Sequence, residues 1–405
     1  MMYLALAWRN LWRNRRRTLI TMASVASGVL FTIAMTSIQE GSYQQYIDIV
    51  VHSWSGHIQI HSLGYTDDPQ INNLMENVDS ISSVLEINKD IFNMAMRIES
   101  YALASAGRTT KGVVVAGIQP NMEDRITAVS QKMVAGIYLS DTSKGVIIGS
   151  RLSQYLNLKT GDTLVLISQG YHGVSAAGLF PVEGIIKHPS VELDKQIVFM
   201  NLSTCQQFFS VDRMASSIVL LVRDNKMMKP LQIRLKEMLG ENFEVKNLEE
   251  MNAILLKQIE SDRVQGYFTK GILYMVIGFG ILGTLMMMLQ ERRREFGVLI
   301  AIGMQKYRLS LMMMAEAFML TLSGVIAGIA ISLPVIYYFY FHPIPLTGQA
   351  ADLMAEMGFD PVISFSVHYD VFLSQAIVLL AMTLFISFYS VNRISKLKVI
   401  SALKT

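Results

Sequence analysis

Apolar residues in this chain are gathered into long uninterrupted stretches rather than spread at core spacing. Four of them, Thr18 to Ile38, Gly271 to Leu289, Ser310 to Phe341 and Val371 to Val391, are separated by charged connections. Each reaches the roughly 20 apolar residues that a helix needs to cross a bilayer. The first lacks a compact apolar run followed by a small-residue cleavage site, so it reads as a retained span and not as a signal peptide. Between the first and second stretches the pattern changes. Short strand candidates (Gly56 to His61, Gly112 to Ile118, Gly145 to Ile148, Thr163 to Ile167, Phe180 to Ile186, Gln196 to Met200, Ser217 to Val222), of which Gly112 to Ile118 and Gly145 to Ile148 are β-branched runs closed by glycine, alternate with helical spacing at Tyr43 to Val51, Ser150 to Leu156 and Lys229 to Leu239. The pattern predicts an α+β integral membrane protein with four transmembrane helices and a large mixed α/β domain between the first two.

The segment 247–270 shows no obvious breaker before the second span. Leu248, Met251, Leu255 and Ile259 form an apolar stripe at three- and four-residue spacing, which predicts a stalk helix that pairs with the helix leaving the first span. Before the first span, Leu4, Trp8, Leu11 and Trp12 share one helical face and Arg9, Arg13 and Arg16 another, the signature of an amphipathic helix at a membrane interface over residues 1–17. Small residues recur four apart in the spans: Ser24 and Gly28, Gly280 and Thr284, Gly324 and Gly328. Such pairs let helix backbones approach closely in lipid. Pro334 is placed to kink the third span or to mark its outer end. Glu316, near the start of that span, can pair with an arginine of the preceding loop, although a snorkelling surface acid is the simpler expectation.

Composition agrees with a membrane chain: 51% of the 405 residues are hydrophobic. Charge then sets an orientation. Residues 1–17 carry Arg9, Arg13, Arg15, Arg16 and Arg17, the loop 290–309 carries Arg292, Arg293, Arg294, Lys306 and Arg308, and the tail 392–405 carries Arg393, Lys396, Lys398 and Lys404. The connection 342–370 has no Lys or Arg and holds Asp352, Glu356, Asp360 and Asp370. An excess of Lys and Arg marks the cytoplasmic side. Both termini and the loop 290–309 are therefore expected in the cytoplasm, with 39–270 and 342–370 outside it. Residues 41–270 hold 21 Lys/Arg against 24 Asp/Glu, so no basic face for nucleic acid is expected. Cys205 is the only cysteine, so no intrachain disulfide is available.

The most distinctive string lies in the loop. Glu291 to Arg308, ERRREFGVLIAIGMQKYR, joins a charged half to a half-apolar helix flanked by charge. Such an element can lie along a membrane and offer its other side to a soluble partner. The arginines alone would also serve as a plain membrane anchor. The whole string E-x-R-R-E-F-G-x-L-x-A-I-G, however, resembles the coupling loop of FtsX/MacB-type ABC transporter permeases. The resemblance implies docking of a separate ATPase on Glu291, Arg294, Glu295, Gly297, Leu299, Ala301 and Gly303. The entry A-W-R-N-L-W-R-N-R-R-R-T-L resembles the same family.

Further strings resemble the periplasmic domain of its lipoprotein-releasing, LolC/LolE-type branch: Gly112 to Glu123, Gly145 to Asp162, Phe180 to Ile186, and the E-x-D of Glu192 to Asp194. That branch implies a carrier-docking hook at Ser168 to Leu179. The stretch here is short, Gly/Ala-rich and without proline, and Leu397 to Leu403 lacks the proline usual before the final A-L.

No G-x-x-x-x-G-K-S/T loop is present, so ATP and Mg would be used only through the partner ATPase. No catalytic, cofactor-binding or metal site is expected: His57 and His61 on one strand lie roughly 13 Å apart, too far to share an ion. No span carries the buried ionisable chain of an ion pathway. The resemblance implies a permease that pairs with itself or a similar permease and with ATPase subunits, acting mechanically on a lipoprotein or amphipathic cargo, with a periplasmic carrier or adaptor. MacB-like export of drugs, peptides or toxins, and FtsX-like control of cell-wall hydrolases, are the rival readings.

Overall fold

The computed structural model describes residues 9–13, 15–356 and 361–395. Residues Leu4 and Trp8 of the expected interfacial helix, Asp360, and the tail from Lys396 onward lie outside them. The chain divides into two compact units, one of Met1–Gln44, Gln258–Pro345 and Val362–Thr405, the other of Gln45–Lys257 and Leu346–Pro361.

The first unit is helical. Its elements are α1 (Arg15–Val50), α2 (Ala253–Glu291), α3 (Arg293–Ala301), α4 (Lys306–Phe341) and α5 (Tyr369–Ser395), with α1 and α2 continuing into the other unit. α1, α2, α4 and α5 are long and apolar enough to cross a membrane. Val25, Val29 and Ile33 of α1 share one core with Ile277 and Ile281 of α2, Leu320 and Val325 of α4 and Leu379 of α5. Glycine permits the closest approaches. A Cβ on Gly324 would lie 2.8 Å from Cβ of Val25, and one on Gly328 would lie 2.6 Å from Cβ of Val29 and 2.9 Å from the Ala26 carbonyl oxygen. A Cβ on Gly28 would meet Ile277. Gly280 is looser, with the Ser24 hydroxyl 3.9 Å away, and Thr284 faces the Thr21 hydroxyl at 3.3 Å. α4 runs through Pro334 to Phe341, so this proline does not mark the end of the helix.

The expected stalk begins later than its apolar stripe. Asn247 closes a strand and caps the short helix Leu248–Met251 through a reciprocal bond with Glu250. Asn252 (φ −116°, ψ 38°) then interrupts the helix, and α2 starts at Ala253. Of the stripe, Leu248 and Ile259 are buried and Met251 and Leu255 half-buried. Farther along, α2 pairs with α1: Arg263 bonds Glu40 at 2.8 Å, Gln39 donates to the Asp262 carbonyl at 3.2 Å, and Gly266 lies against the Gln39 amide.

The second unit is a ten-stranded mixed sheet: β1 (Ile58–Ser62), β2 (Ile91–Ala106), β3 (Thr109–Ile118), β4 (Met133–Gly136), β5 (Val146–Gly149), β6 (Thr163–Gln169), β7 (Ser175–Ile186), β8 (Ile197–Asn201), β9 (Ser217–Val222) and β10 (Phe243–Asn247). The order is β10-β1-β9-β2-β3-β8-β5-β7-β4, and β6 pairs with both β2 and β7. That last pairing closes β2, β3, β8, β5, β7 and β6 into a ring. Its interior is filled by Ile98, Ala102, Val115, Val146, Leu164, Leu166 and Val198, and by Phe208 and Phe209 from the helix Leu202–Phe209. A second core lies where Leu85 of the helix Val78–Glu86 and Leu231 and Leu235 of the helix Met228–Leu239 cover Ile58, Ile60 and Leu220. Side chains alternate between the two faces along each strand, and β5, β8 and β9 are buried on both.

Candidate functional site: the loop between the second and third long helices

α2 ends at Glu291, and Arg292, outside regular helical geometry (φ −99°, ψ 8°), turns the chain into α3. The Arg292 amide still bonds the Met288 carbonyl at 3.2 Å, and its own carbonyl accepts from Phe296 at 2.9 Å, so the turn leaves these backbone groups satisfied. α3 ends at Ile302 and Gly303. Gly303 has φ +106°, a left-handed conformation that a Cβ would strain, although nothing lies within 4 Å of that position. The chain then reverses through Met304 and Gln305 into α4.

A buried ion network holds this loop in place. Both Nη1–H bonds of Arg292 converge on Glu316 of α4, 2.7 Å from Oε1 and 2.8 Å from Oε2, and its Nε donates to Oε2 of Glu295 at 3.0 Å. The Glu316 side chain is fully buried and that of Arg292 is 10% exposed. The Asn10 amide donates to the same Glu316 oxygen at 2.7 Å, and Arg13 bonds Glu295 at 2.6 Å. Arg17 pairs with Glu291. The Arg292 guanidinium also lies over the ring of the buried Phe296, at 5.2 Å. Burial opposes ionisation of Glu295, but the hydrogen bonds from Arg292 and Arg13 outweigh it and hold this carboxyl below its ordinary range. Glu316 is therefore not a snorkelling surface acid. It is buried because loop and N-terminal donors occupy both its oxygens.

The seven residues matched to the coupling motif divide by environment. Arg294, Ala301 and Gly303 are exposed. Glu291 and Glu295 are exposed and ion-paired within the unit. Gly297 is buried and Leu299 packs against the helical core. Beside Arg294, at four-residue intervals on the same face, stand Val298, 42% exposed, and Ile302, 80% exposed. The pairing of Glu316 with a loop arginine was one of the two sequence-based expectations, and Arg292 is that arginine; the Asn10 donor and this apolar outer face were not read from the sequence. The spacing of Arg292 and Glu295, three apart on a helix, was the available signal for the first turn of the network.

In the second unit, Arg97 is fully buried and forks onto Glu123 (Nε to Oε2 2.8 Å, Nη2 to Oε1 2.6 Å) while Nη1 donates to the Trp54 carbonyl at 2.6 Å. Burial, with the negative charge of Glu123, raises the pKa of the neighbouring Glu99. His57 and His61 have separate partners: the Val222 amide donates to Nδ1 of His57 at 3.1 Å, and Nδ1 of His61 lies 2.9 Å from the Ser216 carbonyl. The hook-equivalent stretch, Ser168 to Leu179, forms the β6–β7 hairpin around a turn at Tyr171–Gly173, with Val174 and Leu179 exposed.

Two family descriptions cover this architecture. The MacB-like periplasmic core domain matches residues 18–238 and the FtsX-like permease C-terminal region matches residues 268–399. The chain belongs to the FtsX/MacB-type permease family. The second unit is its α/β core domain, and the loop built on Arg292 lies inside the FtsX-like region. Among relatives of this permease, the lipoprotein-releasing system transmembrane protein LolC of Neisseria meningitidis serogroup B is 23% identical over 328 residues, 77% of this chain and 76% of its own. The pyoverdine export ATP-binding/permease protein PvdT of Pseudomonas fluorescens is 22% identical over 343 residues, 81% of this chain and 50% of its own. The periplasmic region of MacB from Actinobacillus actinomycetemcomitans, 16% identical, covers 51% of this chain and 95% of its own at a TM-score of 0.37. The permease is thus a membrane transport subunit of the FtsX/MacB/LolC kind.

Proposed function

We propose that this permease converts ATP hydrolysis by a separate subunit into movement of an extracytoplasmic core domain, and that its cargo is a lipoprotein leaving the inner membrane. The observation that carries the reading is the latch of Arg292 on Glu316. It ties α3 rigidly to α4 and to the N-terminal segment while leaving Arg294, Val298 and Ile302 facing outward. A short helix bonded this way passes a push on its exposed face directly into the long helices, since the buried ion pair cannot stretch without exposing an unpaired charge. The loop and both termini face the cytoplasm by their excess of arginine and lysine. A second permease, the same or similar, completes the membrane assembly. The LolC relatives support lipoprotein release, and the pyoverdine-export relatives lend weight to the rival, MacB-like export of drugs, peptides or toxins.

The test is purification in mild detergent followed by mass spectrometry of what accompanies the chain. An ATPase subunit with a lipoprotein supports the proposal. An ATPase with an adaptor and no lipoprotein selects the export reading. Absence of any ATPase after cross-linking at α3 would overturn the coupling role. Depletion that alters septation without trapping lipoproteins would point to FtsX-like signalling.

A further inference from the structure

A cavity of about 470 Å³ opens between α1, α2 and α5 at the ends that carry the long connections, and it is lined by Thr36, Glu40, Arg263, Tyr267, Lys270 and Gln375 among others. Both acids of this wall have a partner, and several of its polar groups bond one another. Glu40 pairs with Arg263 at 2.8 Å, and Asp370 with His368 at 3.0 Å. Tyr274 donates to Gln375, whose amide donates to Thr36 at 3.2 Å. Lys270 differs. It is 8% exposed, and among the described residues its ammonium has neither a carboxylate in salt-bridge range nor a hydrogen-bond acceptor, only the Tyr267 ring at 4.8 Å. Its stem is packed away while the ammonium faces the open cavity, where an anion can meet it.

The lining below Lys270 changes character. Tyr274 and Val378 belong to the cavity wall, and Ile377 and Leu373 nearby on α5 are exposed apolar residues of a candidate span. A polar rim on which the Lys270 ammonium has no direct partner, above an apolar floor, fits an amphiphile with an anionic head. We propose that this cavity binds a membrane glycerophospholipid, its phosphate on Lys270 and one acyl chain along Tyr274 and Val378. Such a lipid would wedge α5 against the α1–α2 pair and brace the bundle, whatever cargo the permease carries.

Native mass spectrometry of the full chain, titrated with phosphatidylglycerol in detergent, tests the site. The wild type retains one lipid that Lys270→Met binds about tenfold more weakly, the loss expected for one charge-assisted hydrogen bond, while Lys270→Arg keeps it. Val378→Trp fills the apolar wall without touching the cation and lowers retention similarly; should Lys270→Met fail to fold, this variant alone decides. Equal retention by wild type and by the folded variants overturns the proposal. Displacement of the lipid by inorganic phosphate at equal concentration also overturns it, because the site would then select a free anion.

Discussion

The buried pair Arg292–Glu316 offers the sharpest test of how the loop is held. Replacing Glu316 by Leu leaves a guanidinium that is 10% exposed with only Glu295 for company, and replacing Arg292 by Met strands a fully buried carboxylate. Removing one partner of such a pair costs about 3–5 kcal/mol, because the remaining charge is desolvated and unmatched. Removing both exchanges two charges for apolar groups beside Phe296, and the double variant should recover most of that loss. A double-mutant cycle on Arg292→Met and Glu316→Leu, read from reversible unfolding in mixed micelles, should therefore give a coupling energy of about 2 kcal/mol or more. The double variant should fold well yet fail to stimulate a reconstituted ATPase, since α3 is no longer latched to α4. Single losses that add within about 0.5 kcal/mol would refute the network, and normal ATPase coupling in the double variant would refute its mechanical role.

Three further outcomes are expected. Ile302→Asp and Val298→Asp, both on the exposed face of α3, should weaken ATPase co-purification about tenfold or more while leaving thermal stability unchanged, as for apolar anchors at an interface; retention of the ATPase would show that it docks elsewhere. Gly328→Leu forces side-chain atoms into Val29 and the Ala26 carbonyl and should cost about 1–3 kcal/mol in the same unfolding assay, whereas Gly283→Leu, with open space around it, should be tolerated. His188, buried in the core domain, has its pKa lowered from 6.5 to about 4 by burial first and by the Lys132 ammonium second. Its stabilising neutral form is complete above about pH 6.5 and is lost as pH falls toward 4, worth at most about 3 kcal/mol; His188→Gln should flatten the acid limb of the unfolding profile.

What could be read from the sequence followed physical regularity. The four spans announce themselves by length alone, and β5, β8 and β9 read as nearly continuous apolar runs because both faces are covered. β2, the longest strand, went unseen because its alternation is inverted. Ala95, Ala102 and Ala104 point into the core while Tyr101 and Leu103 stand outside, and Arg97 occupies an interior position that only Glu123 and the Trp54 carbonyl make tolerable. β10 (Phe243 to Asn247) also went unseen, and the stalk expected from residue 247 took in the separate short helix Leu248–Met251, because that helix carries the first half of the apolar stripe and the break at Asn252 carries neither proline nor glycine. In the loop, the motif located the element, but the partner of Arg292 is 24 residues away and Asn10 more than 300 away from Glu316. No local period encodes such a meeting.

Two buried arginine–glutamate pairs among the described residues, Arg97–Glu123 and Arg292–Glu316, are not equivalent, and the difference bears on mechanism. Arg97 and Glu123 are both completely enclosed, with every donor of the fork committed inside the domain; that pair fixes a strand and has no route to solvent. The Arg292 network instead grades outward, from fully buried Glu316 through Glu295, 43% exposed, to Arg13, 60% exposed. A docking protein can compete for its outer members without disturbing the inner pair. The Arg13–Glu295 contact by itself contributes well under about 1 kcal/mol at such exposure, and at an ionic strength of about 0.15 M charges beyond about 8 Å are screened. Arg13→Gln should therefore leave unfolding unchanged and alter ATPase stimulation only at low salt, converging on the wild type as salt is raised. An effect that persists undiminished at about 1 M salt, where the screening length is about 3 Å, would mean that Arg13 acts through packing and that the graded network is not what the partner reads.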